Sequence, residues 1–255
     1  MNKSNWQLKN TKLLFYLGSF RSVASNIFKN LGKSLVILPT SLHDCALVWN
    51  DSSLAKFYDQ VDICTTDGMP LVLGYKIFAK KHVERVYGPD LMAYLLKRSG
   101  LKINHYFLGA NSKIEKKLLR YLGSNFPNLK ISGVSFLEKN LNEIKNEQKI
   151  LASIKKLSPT VLWIGIGSPK QVKLAVQWKK KLSQTTIVCV GAAFDLLTTH
   201  KPMAPIWVKK IGLEWLFRFL TEPKRLWKRY LVKIPRFILS YSFFKLRIFF
   251  GFDEI

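Results

Sequence analysis

Acidic residues are scarce in this sequence. Across 255 residues, 16 Asp and Glu face 41 Lys and Arg, for a formal net charge of +25. So large an excess of cations points to an anionic partner: nucleic acid, an acidic membrane surface or a phosphate-bearing substrate. Cysteine is equally sparse. Cys45, Cys64 and Cys189 are odd in number and far apart, with no CxxC and no Cys/His cluster. This excludes a disulfide framework and reads as buried, reduced thiols in a cytosolic protein without a metal site. Long apolar runs are missing too. No stretch approaches the roughly eighteen residues of a spanning helix. The N-terminal MNKSNWQLKNTKLLFYLGSF has a short apolar run but no small-residue cleavage site, so no signal peptide is expected. Internal repeats and low-complexity linkers are absent as well.

What is present is alternation. Short β-rich runs lie at 34–39, 61–66, 103–109, 129–134, 160–167 and 186–191. Helical patterns lie between them, near 42–57, 70–80, 89–99, 112–124, 138–156 and 169–182. The fold class read from this is α/β, a Rossmann-like and mostly parallel sheet flanked by helices. Ligands in such sheets bind beyond the carboxyl ends of the strands, so the loops there are where chemistry belongs. Near His200 the character changes, and the remainder is helical, basic and rich in aromatics. We divide the chain into a core, 1–200, and an appendage, 201–255.

Four strand-end segments carry polar groups. In CTTDGMPLVLGYKIF (64–78), Asp67 follows a buried strand and precedes Gly68-Met69-Pro70. It reads either as an N-cap or as a carboxylate exposed at the strand end. In HVERVYGPDLMAYLL (82–96), Gly-Pro-Asp starts a helix and Arg85 precedes it in a loop. In LWIGIGSPKQVKLAVQW (162–178), a strand runs into Gly165-Ile166-Gly167. Ser168 is expected to cap a helix with Pro169 at its first position, leaving Gly167, Lys170 and Gln171 around a positive helix end suited to an anion. The glycines also serve as a tight turn. In VCVGAAFDLL (188–197), small residues follow a strand and precede Asp195. That aspartate reads either as a helix-start acid or as an acceptor for ribose or base hydrogen bonds. Together these segments suit an α/β enzyme that uses a nucleotide.

The tail, TEPKRLWKRYLVKIPRFILSYSFFKLRIFF (221–250), alternates basic and large apolar residues. Starting a helix at Pro223 puts Leu226, Trp227, Tyr230, Leu231 and Ile234 on one stripe and Lys224, Arg225, Lys228 and Arg229 on the rest, with a stop near Pro235. The following FILSYSFFKLRIFF suits a membrane interface. Anionic lipids attract such segments by about 1 kcal/mol per Lys or Arg. A terminal helix packed on the core is the plainer reading.

The order TTDG, ERVYGPDLM, IGIGSPKQ, VGAAFD and APIWVKKIGLEWLFRFLTEPKRLWKRY resembles the WecG/TagA/CpsF family of bacterial glycosyltransferases over residues 13–232. The resemblance implies an inverting enzyme that needs neither metal nor other cofactor. It would move a sugar, N-acetylmannosamine or another hexose or hexuronate, from a UDP-sugar to a polyprenyl-diphosphate-linked saccharide. The place would be the cytoplasmic face of the cell membrane, bound peripherally. It also implies roles. Asp67 matches the general base, Arg85 a substrate-contacting arginine, Gln171 the phosphate-loop glutamine and Asp195 the nucleoside-contacting aspartate. Arg218 and Arg225 match appendage arginines that complete the site. A further such arginine aligns with Lys228, which keeps the charge without the bidentate fork, and Arg229 stands beside it. Where the family carries a Thr-x-Asn-Pro loop, counting back from Asp67 reaches Pro39 and Ser41, with Thr40 reached by a small shift. This departure argues against simply copying the sugar. The sequence has no Asp-x-Asp motif, so protein cations would have to stabilise the departing UDP. Other partners expected are the anionic membrane surface and not nucleic acid; a homo-oligomer off the membrane stays open. The competing classes are a basic nucleic-acid-binding protein and a non-catalytic membrane scaffold.

Overall fold

The computed structural model describes residues 2–109, 111–137, 143–198, 203–205, 207–208 and 211–249. Among them, eight strands form one sheet in the order β1-β2-β4-β3-β8-β7-β5-β6. The strands are β1 (Asn2–Leu8), β2 (Thr11–Leu17), β3 (Val36–Thr40), β4 (Ile63–Thr66), β5 (Asn104–Gly109), β6 (Lys130–Phe136), β7 (Val161–Gly165) and β8 (Thr186–Cys189). Only the β1–β2 pairing is antiparallel.

The sheet is covered on both faces, which explains its unbroken apolar strands. In β3, Val36 and Leu38 enter one core cluster and Ile37 the other. Period-2 geometry sends alternate side chains to opposite faces, so both must be apolar. One face carries α2 (Leu42–Asn50), α3 (Ser52–Tyr58), α4 (Met69–Phe78), α7 (Glu143–Leu157) and α8 (Lys170–Lys179). The other carries α1 (Phe20–Lys29), α5 (Gly88–Ser99), α6 (Glu115–Asn125) and the short α9 (Ala193–Leu197). Cys45, Cys64 and Cys189 are buried free thiols.

Two expectations need correction, and one run that the sequence left without an element has its place. The N-terminal apolar run is a hairpin, β1–β2, whose Leu8, Leu13, Phe15 and Leu17 are buried on the sheet. The helix expected over 42–57 breaks at Asp51. That residue is extended (φ −141°, ψ 99°), and its side chain accepts the Leu54 N–H to start α3. The tail helix does not stop near Pro235. After α10 (Glu214–Thr221) and α11 (Pro223–Trp227), a π-helical segment spans Lys228–Lys233, and α12 (Ile234–Phe249) follows without a break. The Ile234 N–H bonds to Arg229 O, five residues back. This wide turn relieves the clash a proline ring makes with an ordinary helical carbonyl, so Pro235 passes within the helix. The expected stripe does not hold: Leu226 is buried while Trp227 and Leu231 are exposed.

One side of the tail packs on the core. Phe237 belongs to the same cluster as Leu38 and Trp178. Trp49 of α2 meets Phe237 and Phe244 at ring-centroid distances of 5.7 and 5.4 Å. The outward side carries Leu231, Leu239, Phe243 and Leu246, all exposed. Among the described residues, no helix is long and apolar enough to cross a membrane.

Candidate functional site

Strands β4, β3, β8 and β7 are neighbours, so the loops at their carboxyl ends stand side by side. The N-terminal half of the sheet meets the C-terminal half at the β3–β8 boundary, where an open α/β sheet forms its crevice. Asp67 leaves β4 here, its N–H donating to Thr40 O at 2.9 Å. Beside it α5 begins. A Cβ built on Gly88 would meet Val190 O at 3.3 Å and lie 3.9 Å from Asp67 Oδ2.

Asp67 keeps 22 % of its side chain exposed and faces Arg85, with Nη2 3.6 Å from Oδ1. Arg85 Nη1 donates to Glu214 Oε2 at 2.7 Å, and Arg218 Nη2 lies 3.0 Å from Glu214 Oε1. Arg218 also donates to the Tyr87 hydroxyl, and the Arg85 guanidinium stacks 4.1 Å from the Tyr87 ring centroid. One carboxylate from α10 thus grips two arginines against one tyrosine. Burial pushes Asp67 up to about 7, outweighing Arg85 and Arg218, which pull it down; Glu214 and Asp44 push the same way as burial. Burial would raise Glu214 as well, but the Arg85 hydrogen bond and the charges of Arg218 and Arg85 hold it below the usual range. The two carboxyls therefore diverge: Glu214 stays charged, and Asp67 exchanges its proton near neutrality.

The second part of the crevice is tied by Gln171. Its buried Oε1 accepts the Gly167 N–H at 3.2 Å and the Gly191 N–H at 3.0 Å, while Nε2 donates to Ser168 Oγ at 3.3 Å. One amide joins the loop after β7 to the loop after β8. Ser168 is not the expected cap. The helix begins at Lys170 with Pro169 ahead of it, and the Ser168 hydroxyl accepts from Gln171 instead. Gly165 answers to packing: a Cβ there would lie 2.7 Å from the Phe194 ring. Asp195 is half-buried on α9, which follows the loop that Gln171 holds at Gly191.

The third part is the loop after β3. Thr40 is fully buried and its hydroxyl donates to Leu38 O at 2.9 Å; its carbonyl accepts the Asp67 N–H. Ser41 and Asp44 form a capping box, with Ser41 N and Oγ 3.0 and 2.7 Å from Asp44 Oδ2. Tyr58 donates to Asp44 Oδ1 at 2.9 Å. Arg229 reaches across from the tail and donates to Ser41 Oγ at 3.3 Å. Burial, then Arg229, lowers the pKa of neighbouring His43 to about 4, so it is neutral at pH 7.

Of the sequence-derived candidates, Asp67, Arg85 and Arg218 meet in one cluster, while Gln171 and Gly167 meet in another. Two candidates sit elsewhere. Arg225 is forked onto Glu222, the residue that precedes its own helix, with Nη2 2.7 Å from Oε1. Lys228 is exposed over the Trp227 ring, 5.5 Å from its centroid. Arg229, not Lys228, reaches the β3 loop, where it donates to Ser41 Oγ. Sequence reasoning missed Glu214, Tyr87, Asp44 and Tyr58. A signal for Glu214 was available. Between 201 and 250 the only acids are Glu214 and Glu222, and each holds an arginine three or four residues on. Among the described residues, no group of three or more His, Cys, Asp or Glu is placed to hold a metal ion. A cavity of about 370 Å³ lined by Ser34, Asp62 and Lys179 lies at the opposite edge, by the amino ends of β3 and β4.

A two-faced parallel sheet that gathers its polar groups beyond one row of strand ends is the plan of an α/β enzyme. The model of the glycosyl transferase WecG/TagA/CpsF family matches residues 13–248, and the chain belongs to this family of glycosyltransferases. It is 26% identical over 175 residues to an N-acetylglucosaminyldiphosphoundecaprenol N-acetyl-beta-D-mannosaminyltransferase of Bacillus subtilis (strain 168), covering 68% of this chain and 66% of the relative. It is 24% identical over 196 residues to the enzyme of the same name from Staphylococcus aureus (strain NCTC 8325 / PS 47), covering 76% and 74%. The match thus spans about two thirds of the length of the Bacillus relative.

Proposed function

We propose that this chain transfers a sugar from a UDP-sugar to a polyprenyl-diphosphate-linked saccharide, with inversion and without a divalent metal, during assembly of a cell-surface polysaccharide. The observation that carries this reading is Asp67, a strand-end carboxyl with its pKa raised to about 7 between Arg85 and Arg218. A general base works best with its pKa near the working pH. Asp67 takes the proton of the acceptor hydroxyl as that oxygen attacks the anomeric carbon. The bond from that carbon to the diphosphate breaks, and UDP departs with the electron pair. One displacement with one base inverts the centre. The developing charge on UDP is met by arginines, which suit phosphate oxygens and act more strongly away from bulk water.

The donor lies at the two loops joined by Gln171, with Asp195 toward the nucleoside. The acceptor lies at the β3 loop, where Arg229 reaches Ser41. Residues 201–255 form an appendage to the 1–200 core that supplies Glu214, Arg218 and Arg229 to the site. The relatives' names carry a diphosphoundecaprenol-linked acceptor, which supports a lipid-linked acceptor here and hence a peripheral position on the cytoplasmic membrane face. The outward apolar and basic side of the tail suits that position.

The test is a panel of UDP-sugars offered to the full chain with a lipid-diphosphate-linked N-acetylglucosamine acceptor, read by mass spectrometry with and without EDTA. The expected result is addition of one sugar from one donor, undiminished by EDTA. No transfer from any donor, or complete loss in EDTA, would overturn the reading or its metal-free clause respectively.

A further inference from the structure

Helix α4 is apolar on nearly every side. Its sequence, MPLVLGYKIF, has one charge, Lys76. Leu71 and Val72 are buried, and Tyr75 packs against Phe15 and Trp6 at centroid distances of 5.7 and 6.3 Å. A helix apolar all round belongs in an interior. This one is covered on one side only. Leu73, Ile77 and Phe78 face outward, with Ile77 63 % and Phe78 88 % exposed. Positions 73 and 77 fall one turn apart on one stripe, and Phe78 ends the helix beside them. Lys76, Lys80 and Lys81 border the stripe, and no acid occurs between Gly68 and Val83.

The stripe does not stand alone. Gly212 packs on Met69, where a Cβ would come within 3.5 Å, so Gly212 and the exposed Ile211 before it stand at the start of α4; Trp207 is exposed as well. Beyond Tyr75, Trp6 donates to the Tyr241 hydroxyl, so α12 borders the same region through these side chains. A core helix and two stretches of the appendage, each with exposed apolar side chains, thus lie near one another, with lysines along α4 and just after it. Apolar areas of this kind mark interaction sites. The chemistry fits one occupant, an anionic bilayer surface: the apolar side chains enter the headgroup boundary, and the lysine stems lie along it with their ammonium groups at the phosphates. A second copy of the chain fits poorly, since it would set lysines against lysines on molecules of net charge +25.

We propose that α4 is a second membrane-contact element, inserting Leu73, Ile77 and Phe78 into an anionic lipid surface from the core side of the site. This rests on the reading of the chain as working on a lipid-linked acceptor. The helix starts two residues after Asp67, so docking through it would bring the base toward the plane where such an acceptor lies.

The test is flotation of the full chain with vesicles of equal parts phosphatidylglycerol and phosphatidylcholine. The triple variant Leu73→Ser, Ile77→Ser, Phe78→Ser should lose about tenfold or more in partition while keeping the wild-type thermal midpoint. Should that variant misfold, Lys76→Glu with Lys80→Glu, both exposed, should lose partition similarly at low salt and converge on wild type at high salt. A tail variant, Leu239→Ser with Phe243→Ser, separates the two ideas. If it is released while both α4 variants bind as wild type does, the lipid reading stands and the α4 proposal is overturned. If wild type itself never floats, both fall. If the triple variant alters only the sedimentation of wild-type oligomers, the face joins copies of the chain and the proposal is wrong.

Discussion

Arg85 Nη1 donates to Glu214 Oε2 at 2.7 Å although the two residues stand 129 positions apart in the chain. The same carboxylate binds Arg218, so Glu214 anchors α10 to the loop that faces Asp67. Glu214→Gln should release both arginines. Glu214 also pushes the Asp67 pKa up, so its neutralisation lets that pKa fall. The acid limb of the kcat/KM profile should move to lower pH, with a fall in kcat. A profile that keeps its acid limb in place would show that Glu214 merely props up the fold.

Asp67→Asn should cut turnover by about 10²–10⁴ while leaving UDP affinity within a few-fold. A stability effect of defined sign accompanies it. The folded pKa of about 7 stands above the ordinary 3.8. The folded protein therefore holds this proton more tightly than the unfolded chain does. The stability this contributes is whole below about pH 4 and is lost as pH rises through 7. Asn cannot ionise, so the variant should gain on wild type at pH 8 and gain little at pH 4. Thermal melts at the two pH values check this, alongside single-turnover rates.

Gln171→Leu removes the acceptor shared by Gly167 and Gly191. A fully buried N–H left unpaired costs about 1–3 kcal/mol; these two are part-buried and should each cost less, but the two loops should part. The expected result is a lower unfolding midpoint and at least tenfold weaker UDP binding by calorimetry. Unchanged UDP affinity would remove the two loops from the donor site.

Lys228 and Arg229 are neighbours with different surroundings, Lys228 over the Trp227 ring and Arg229 at Ser41. Lys228→Ala, at an outward position, should lower vesicle partition by the roughly fivefold that about 1 kcal/mol of lipid attraction represents. Arg229→Ala breaks the contact with Ser41. It should raise the acceptor KM even with a soluble short-chain acceptor, where lipid attraction plays no part. Equal effects of the two variants on that KM would contradict the inward position of Arg229.

The N-terminal hairpin shows one limit of reading from sequence. The run TKLLFYL alternates in burial, but NKSNWQL has two large apolar residues in seven, too few to announce an edge strand. Its side chains became legible only against their neighbours, with Trp6 on Phe15 and Leu8 within the core cluster.

Local chemistry determined the rest of the sheet. Consecutive apolar residues such as Val36-Ile37-Leu38 require cover on both faces, and that requirement produces a parallel sheet between helices, with its polar groups left at the strand ends. Asp67, Gly167 and Gln171 were readable as strand-end residues for that reason. Which of those groups meet was decided by tertiary structure alone. Glu214 joins Arg85 and Arg229 joins Ser41 because of how the appendage lies on the core, and a π-helical segment after Trp227 carries the helix on past Pro235. Helical periodicity read from sequence assumes a constant turn. One widened turn rotates every side chain beyond it, and the contacts that stabilise it lie on α2 and the sheet, far away in the chain.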